Sequence, residues 1–233
     1  MTIRIFFLMT IGIVGMAVAS IRPVAAAPNS GPVYAVTYFE AAAPDIAKVA
    51  ADVRQFAAAS RKEAGNAGFA AFQETVRPSR FAIVEAWQDK ASADAHNAAA
   101  ATLAFRDKVQ PLLVGPFEVR TLTGFSTAAP NGQGGRDAVD VLTFVDVFPP
   151  GKDRTAALLT QLAGASRKLA GNRRFDVLLR VPGGGNHFIV VEGWRDRQAY
   201  NASLTAASTR DFRQQLTPLE GALYDERLYH ALR

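Results

Sequence analysis

Hydrophobic residues follow two different spacings along the chain, and the change from one to the other predicts its secondary structure. Residues 33–40 (VYAVTYFE) are rich in β-branched and aromatic side chains, which is typical of a strand. Between residues 45 and 63 the apolar positions recur every three or four residues, which predicts an amphipathic helix that ends before Gly65. Further along, the pattern predicts strands at 69–76 and 81–88, a second helical region at 92–113 and a last strand at 117–125.

These elements come in the order strand, helix, strand, strand, helix, strand, which is the order of a ferredoxin-like βαββαβ unit. In such a unit the helices cover one face of an antiparallel sheet. The predicted strand 81–88 (FAIVEAWQ) is apolar on both of its faces. The second face of the sheet therefore needs a cover of its own.

The same unit occurs twice. Residues 60–66 (SRKEAGN) and 166–172 (SRKLAGN) are identical at six of seven positions, at an offset of 106. After one extra residue in a glycine-rich turn the offset becomes 107, and the matched pairs then include Phe81 and Phe188, Glu85 and Glu192, Trp87 and Trp194, Asp89 and Asp196, and Phe105 and Phe212. A period this long excludes a solenoid of small repeats. It predicts two domains, residues 33–126 and the more divergent residues 138–233, joined by a linker at 127–137.

The exposed apolar face of each sheet can be buried against the corresponding face of the other copy. We therefore predict an α+β fold in which two ferredoxin-like repeats pack sheet to sheet as a pseudo-dimeric α+β barrel. A single chain would then supply what a homodimer supplies by association. Further association of such units is left open.

Composition excludes several classes of function. The 233 residues are 49% hydrophobic, so the chain can build a core, and it has no cysteine. Its net charge of +5 comes without a long basic run, which argues against nucleic-acid binding. Three histidines without a metal-ligand spacing predict no metal site, and no strand–GxGxxG–helix sequence indicates flavin or nicotinamide. We expect no cofactor.

The first 26 residues have the pattern of a signal peptide. An early Arg4 precedes apolar residues 5–19, which are shorter than the roughly 20 residues needed to cross a bilayer. Pro23 and the small residues at 24–26 then suit cleavage after Ala26. An uncleaved anchor is the alternative, and either form exports the domain. We expect a periplasmic or secreted protein with no membrane span after cleavage.

The segment FAIVEAWQDKASADAH, residues 81–96, resembles the antibiotic biosynthesis monooxygenase family of the dimeric α+β barrel superfamily. SRKEAGN before it, and Phe105 with QPLL after it, add to the resemblance. The superfamily includes quinol monooxygenases, anthrone oxygenases and haem-degrading enzymes. For the oxygenases the resemblance implies cofactor-free chemistry, in which a deprotonated phenolic substrate passes an electron to dioxygen inside an apolar pocket. The second copy departs from the pattern, with Ser203 in place of His96 and Leu169 in place of Glu63.

Three residues of this segment, His96, Trp87 and Glu85, are the candidate catalytic residues. An imidazole titrates at about pH 6.5, so His96 could act as a base or hold a substrate oxygen. The alternative is a surface histidine. In an unbroken helix His96 and Phe105 would lie on opposite faces, so His96 reaches a pocket only if the helix breaks between residues 98 and 102.

Structural roles compete with functional ones at these positions. The tryptophan recurs as Trp194, which also suits plain core packing. Glu85 recurs as Glu192, and a carboxylate on an apolar face is costly unless it is paired. An ion pair of Glu85 with Arg61 or Arg106 is therefore the alternative to catalysis.

Four aromatic residues are candidates for contacting a substrate, namely Tyr38, Phe81, Phe105 and Trp194. Tyr38 alternates with Val36 on the first strand and would bring a hydroxyl into a pocket, although a core tyrosine is equally compatible with the pattern.

The sequence supports one leading function and two alternatives. The first is an exported, cofactor-independent monooxygenase-like protein that oxidises a quinol or polycyclic phenol with dioxygen. The second is a non-catalytic binding protein for a small aromatic molecule. The third is haem binding or degradation, although haem-degrading relatives are implied to use an asparagine on the first strand and residues 34–40 contain none.

Overall fold

The computed structural model describes residues 31–131, 134–181 and 185–233. The predicted signal peptide, residues 1–26, lies outside the described residues. None of the helices within these ranges is long and apolar enough to cross a membrane.

The two copies have the same sequence of elements. The first copy contains β1 (Val33–Glu40), α1 (Ile46–Ser60), β2 (Asn66–Glu74), β3 (Arg80–Trp87), α2 (Lys90–Ala98), α3 (Ala100–Val109) and β4 (Glu118–Ser126). The second contains β5 (Val139–Asp146), α4 (Lys152–Ser166), β6 (Asn172–Arg180), β7 (His187–Trp194), α5 (Arg197–Leu204), α6 (Ala207–Leu216) and β8 (Asp225–Ala231). The βαββαβ order predicted from the hydrophobic pattern is confirmed, with each second helical region divided into two helices.

The eight strands form one closed antiparallel barrel in the order β1-β3-β2-β8-β5-β7-β6-β4. Each copy contributes four neighbouring strands, and the copies join at both edges, where β2 pairs with β8 and β4 pairs with β6. The predicted pseudo-dimeric α+β barrel is confirmed. The sheets not only face each other but also share backbone hydrogen bonds, so no strand of the barrel is left with an unpaired edge.

Strand β3 shows why both sheet faces had to be apolar. Phe81, Ile83 and Trp87 point outwards into a core that the helices of the first copy cover. Ala82 and Val84 point inwards, where side chains from both copies fill the barrel. The outer core of the second copy repeats that of the first. The fold therefore has separate apolar regions, one inside the barrel and one between each sheet and its helices.

The helical region predicted at 92–113 is interrupted. Ala99 lies between α2 and α3 with φ −62° and ψ 138°, an extended conformation that breaks the helical hydrogen-bond ladder. The second copy has the same interruption at Ala206, with φ −61° and ψ 144°. The break falls between residues 98 and 102, where the sequence left it open, and it lets α2 and α3 present different faces to the core.

Gly65 is a position where only glycine fits. Its φ of +77° is in the left-handed region, and a Cβ there would lie 2.2 Å from Ser92 Oγ. We expect Gly65→Ala to lower the free energy of unfolding by about 1–3 kcal/mol, measured by urea denaturation. Gly164, inside α4 with open space around it, is the control, since Gly164→Ala should raise stability by about 0.5–1 kcal/mol. An unchanged urea midpoint for Gly65→Ala would contradict the expectation.

Candidate functional site

The first copy contains a cavity of about 710 Å³ between the outer face of its sheet and the helices α2 and α3. Alternate residues of β1 and β4 form its floor, because side chains on one face of a strand are two positions apart. The lining includes Val33, Ala35 and Thr37 from β1, Glu85 and Trp87 from β3, Val119, Thr121 and Thr123 from β4, and Ala93, Asn97 and Arg106 from the helices. Lys90 and Asp94 also line it, so the cavity combines apolar, polar and charged side chains and has a size that small molecules commonly occupy.

A chain of polar contacts runs from the cavity wall into the protein. Trp87 Nε1 donates a hydrogen bond of 3.0 Å to Glu85 Oε2. His96 Nε2 lies 3.5 Å from the same oxygen, and His96 Nδ1 lies 2.9 Å from Glu63 Oε2. We call Glu63, His96, Glu85 and Trp87 the polar chain. It holds one face of the Glu85 carboxylate in a fixed orientation.

Local sequence places these side chains together. Glu85 and Trp87 are two positions apart on β3 and so share a face. The Asp89 carboxylate accepts a 2.7 Å hydrogen bond from the Ser92 backbone N–H, which begins α2. Two turns later, the His96 ring stacks on the Trp87 indole with ring centroids 4.5 Å apart.

The break at Ala99 decides the position of His96. Because α2 ends there, His96 and Phe105 can both face the core, and only 2% of His96 is exposed. The condition set by helix geometry is met, and the alternative of a surface histidine is wrong.

Glu85 carries the chemistry that the cavity can use. Burial raises the pKa of its carboxyl above the ordinary value, while the hydrogen bond from Trp87 and the nearby His96 act in the opposite direction. Its Oε2 is held by the polar chain, whereas Oε1 has no hydrogen-bond partner among the described residues. A carboxylate with one oxygen fixed and one free can accept a proton from a ligand in the cavity.

The sequence model of the antibiotic biosynthesis monooxygenase family matches residues 32–108 and 139–215, one match in each copy. This chain belongs to the antibiotic biosynthesis monooxygenase family. The tandem duplication expected from the repeated motif is confirmed. No curated protein matches this family member significantly in sequence.

Solved structures share the fold of this family member over most of its length. A Fusobacterium nucleatum protein provisionally named a monooxygenase has a TM-score of 0.81 at 16% identity, covering 88% of this chain and 94% of that one. A Lactobacillus acidophilus protein with the same provisional name has a TM-score of 0.74 at 13% identity, covering 87% and 95%. An anthrone oxidase-like protein has a TM-score of 0.66 at 14% identity, covering 87% and 92%. At these identities the likeness establishes a common fold.

Within this antibiotic biosynthesis monooxygenase family member, the structure brings the three candidate catalytic residues together. Glu85 and Trp87 line the cavity. His96 lies behind them and contacts Glu85 and Glu63 rather than the cavity. Both of its ring nitrogens face carboxylates, which leaves neither nitrogen directed at an iron ion in this conformation. The haem alternative loses support.

The four aromatic candidates lie elsewhere. Tyr38 faces the barrel interior, where its ring centroid lies 5.1 Å from that of Phe144. Phe81 stacks on Phe39, and Phe105 stacks on Phe56, both within the outer core. Trp194 is buried in the second copy, where it donates to Glu192 Oε2 at 2.9 Å. None of these four lines the cavity, because strand alternation and close aromatic packing turn their rings away from it.

Neither of the arginines proposed as partners forms an ion pair with Glu85, although the positive charge of Arg106 opposes the rise in the pKa of its carboxyl. Arg61 Nε donates to the Phe69 carbonyl oxygen at 2.9 Å, and Arg106 Nη2 donates to Asn97 Oδ1 at 2.8 Å. The indole N–H of Trp87 is nearer, because a residue two positions away on a strand lies on the same face.

Glu63 is the member of the polar chain that was not named as a site residue. The sequence did carry a signal for it, since Glu63 and His96 are both replaced in the second copy, by Leu169 and Ser203. Two residues that are replaced together in the second copy are candidates for a direct contact. In the structure, Glu63 Oε2 lies 2.9 Å from His96 Nδ1.

Proposed function

We propose that this protein is an exported, cofactor-independent monooxygenase that oxidises a quinol or polycyclic phenol with dioxygen in the cavity of the first copy. The observation that carries the proposal is the Glu85 carboxylate on the wall of a cavity of about 710 Å³, with Oε2 held by Trp87 and no hydrogen-bond partner to Oε1 among the described residues. Family membership and the provisional names of two structural relatives support it.

The size and lining of the cavity suit an aromatic ligand of two or three fused rings. Ligand sites of roughly 300–1,000 Å³ enclose most of a molecule of that size. The lining includes the Trp87 indole as one wall and polar side chains that can form hydrogen bonds to hydroxyl groups of a ligand. An aromatic ligand that fills this space would displace water, which lengthens the lifetime of charged and radical intermediates.

The reaction balances without a further reductant. The phenol gives its proton to a base, and the phenolate passes one electron to dioxygen. The two radicals join at a ring carbon, and protonation of the terminal oxygen gives a hydroperoxide. Loss of the hydrogen on that carbon and of hydroxide leaves a carbonyl group, so one phenol and one dioxygen give one quinone and one water.

The protein supplies proton transfer and orientation. Glu85 Oε1 would take the phenolic proton and later return it to the peroxide oxygen, a role that its raised pKa favours. His96 and Glu63 are positioning residues, because they act on the substrate only by holding Glu85. Trp87 holds the same carboxylate and forms the aromatic wall.

An oxygen electrode tests the proposal. The mature chain is mixed with 1-naphthol, 1,4-dihydroxynaphthalene or anthrone, and oxygen uptake is compared with that of each compound alone. We expect protein-dependent uptake with at least one compound, in a one-to-one ratio of oxygen consumed to phenol oxidised for 1-naphthol. Binding of these compounds without any uptake would overturn the proposal in favour of a non-catalytic binding protein.

A further inference from the structure

Two residues that line the cavity of the first copy are replaced by different residues at the corresponding positions of the second copy. Ala93, on the wall of the cavity, corresponds at the offset of 107 to Tyr200 on α5. Val119, on the floor, corresponds to Glu226 on β8. The second copy thus has a large aromatic side chain where the first has a methyl group.

The Tyr200 ring occupies the place that corresponds to the cavity. Tyr200 is only 5% exposed and belongs to the same packed cluster as Val141 and Trp194. These two residues correspond to Ala35 and Trp87, both of which line the cavity in the first copy. Residues at positions that line an open space in the first copy therefore belong, in the second copy, to a packed cluster that contains a phenol ring.

The hydroxyl group of this ring is also held. Tyr200 Oη donates to Glu226 Oε1, and Arg213 Nη2 donates to Glu226 Oε2 at 2.8 Å. Arg213 corresponds to Arg106 on the cavity wall. Because Val119 replaces Glu226 in the first copy, this arrangement of phenol, carboxylate and guanidinium exists only in the second.

We infer that Tyr200 is a built-in occupant of a second ligand pocket, so that each chain binds one aromatic ligand, in the first copy, while the second pocket holds its own phenol. The inference concerns a site for a single hydroxylated ring, and it depends on the proposed function only for the ligand of the first copy. Removing the ring should uncover the second pocket.

The first test removes the ring and replaces it with phenol. Tyr200→Ala should lower the melting temperature by about 10 °C, the loss expected when a large buried side chain is deleted from a chain of this size. Millimolar phenol should then raise the melting temperature of the variant by several degrees more than that of the wild type. Benzene should restore less, because it cannot replace the hydroxyl group that donates to Glu226 Oε1, whereas Arg213 still donates to Oε2.

A crystal of Tyr200→Ala soaked in phenol locates the bound molecule. We expect a phenol ring beside Trp194 with its oxygen next to Glu226. An equal phenol response of variant and wild type, together with a second copy that holds no phenol, would overturn the inference.

The second test moves the occupant into the first copy and does not require Tyr200→Ala to fold. The double variant Ala93→Tyr with Val119→Glu rebuilds the phenol and carboxylate next to Arg106. Its affinity for 1-naphthol, measured by fluorescence under anaerobic conditions, should fall at least about tenfold because the ring fills the cavity. The single variant Val119→Glu is the control for the added charge. Unchanged affinity of the double variant would contradict the inference.

Failure of the proposed function and failure of the inference about Tyr200 can be distinguished. If wild-type protein does not bind 1-naphthol, the proposed function loses its ligand, whereas the phenol experiment on Tyr200→Ala still decides whether Tyr200 occupies a pocket.

Discussion

Replacing Glu85 with glutamine should lower kcat/KM for 1-naphthol oxidation by about two to four orders of magnitude, the usual contribution of a positioned general base. Glutamine keeps the hydrogen bond from Trp87 and the approximate volume of the side chain but cannot take a proton. Oxygen uptake at several substrate concentrations measures the loss. In the wild type, activity should rise with pH through the raised pKa of Glu85, because only the carboxylate form accepts the proton.

The second copy provides a matched control for this variant. Glu192 has the same position on β7 and the same hydrogen bond from a tryptophan, but the Tyr200 ring occupies its surroundings. Glu192→Gln should therefore leave oxygen uptake unchanged. Equal losses in Glu85→Gln and Glu192→Gln would show that the carboxylate matters for the structure of both copies and not for the reaction in one.

Glu192 should make the protein less stable as pH rises. Burial raises the pKa of its carboxyl from 4.5 to about 7, so the folded chain holds a proton that the unfolded chain has released between these values. Below pH 4.5 both states are protonated, and above about pH 7 the folded state must bury a charge. At about 1.4 kcal/mol per pH unit, the unfolding free energy should fall by roughly 3 kcal/mol across this window.

Urea denaturation of wild type and Glu192→Gln at pH 5 and pH 8 isolates this contribution, because all other ionisable groups are common to both. The two proteins should be similar in stability at pH 5, and the variant should be the more stable at pH 8. A stability difference that does not change with pH would contradict the raised pKa.

The fold could be predicted because its signal is repeated. The motif at residues 60–66 recurs at residues 166–172, and the order of elements is the same in both copies. Together with the two apolar faces of strand 81–88, this repetition predicted the barrel. The pairing of β2 with β8 could not be predicted, since it depends on the relative position of two sheets rather than on any local pattern.

The site was predictable only in part. The spacing of Glu85 and Trp87 places them on one face of a strand, and their contact follows from that spacing. The break at Ala99 has no local signal, because the alanines at 98–101 are strong helix formers and tertiary packing overrides that preference. The cavity could not be predicted, because it depends on the volume of the side chain at position 93. The difference between Ala93 and Tyr200 can be interpreted only once the positions of the surrounding residues are known.

Closure of the barrel by a single chain also changes how this protein behaves at low concentration. In a homodimer the barrel would open on dilution by mass action, and both halves would have the same sequence. Here the peptide connection holds the halves together at any concentration. Each half can therefore specialise, one retaining an open chamber while the other becomes a permanently filled support.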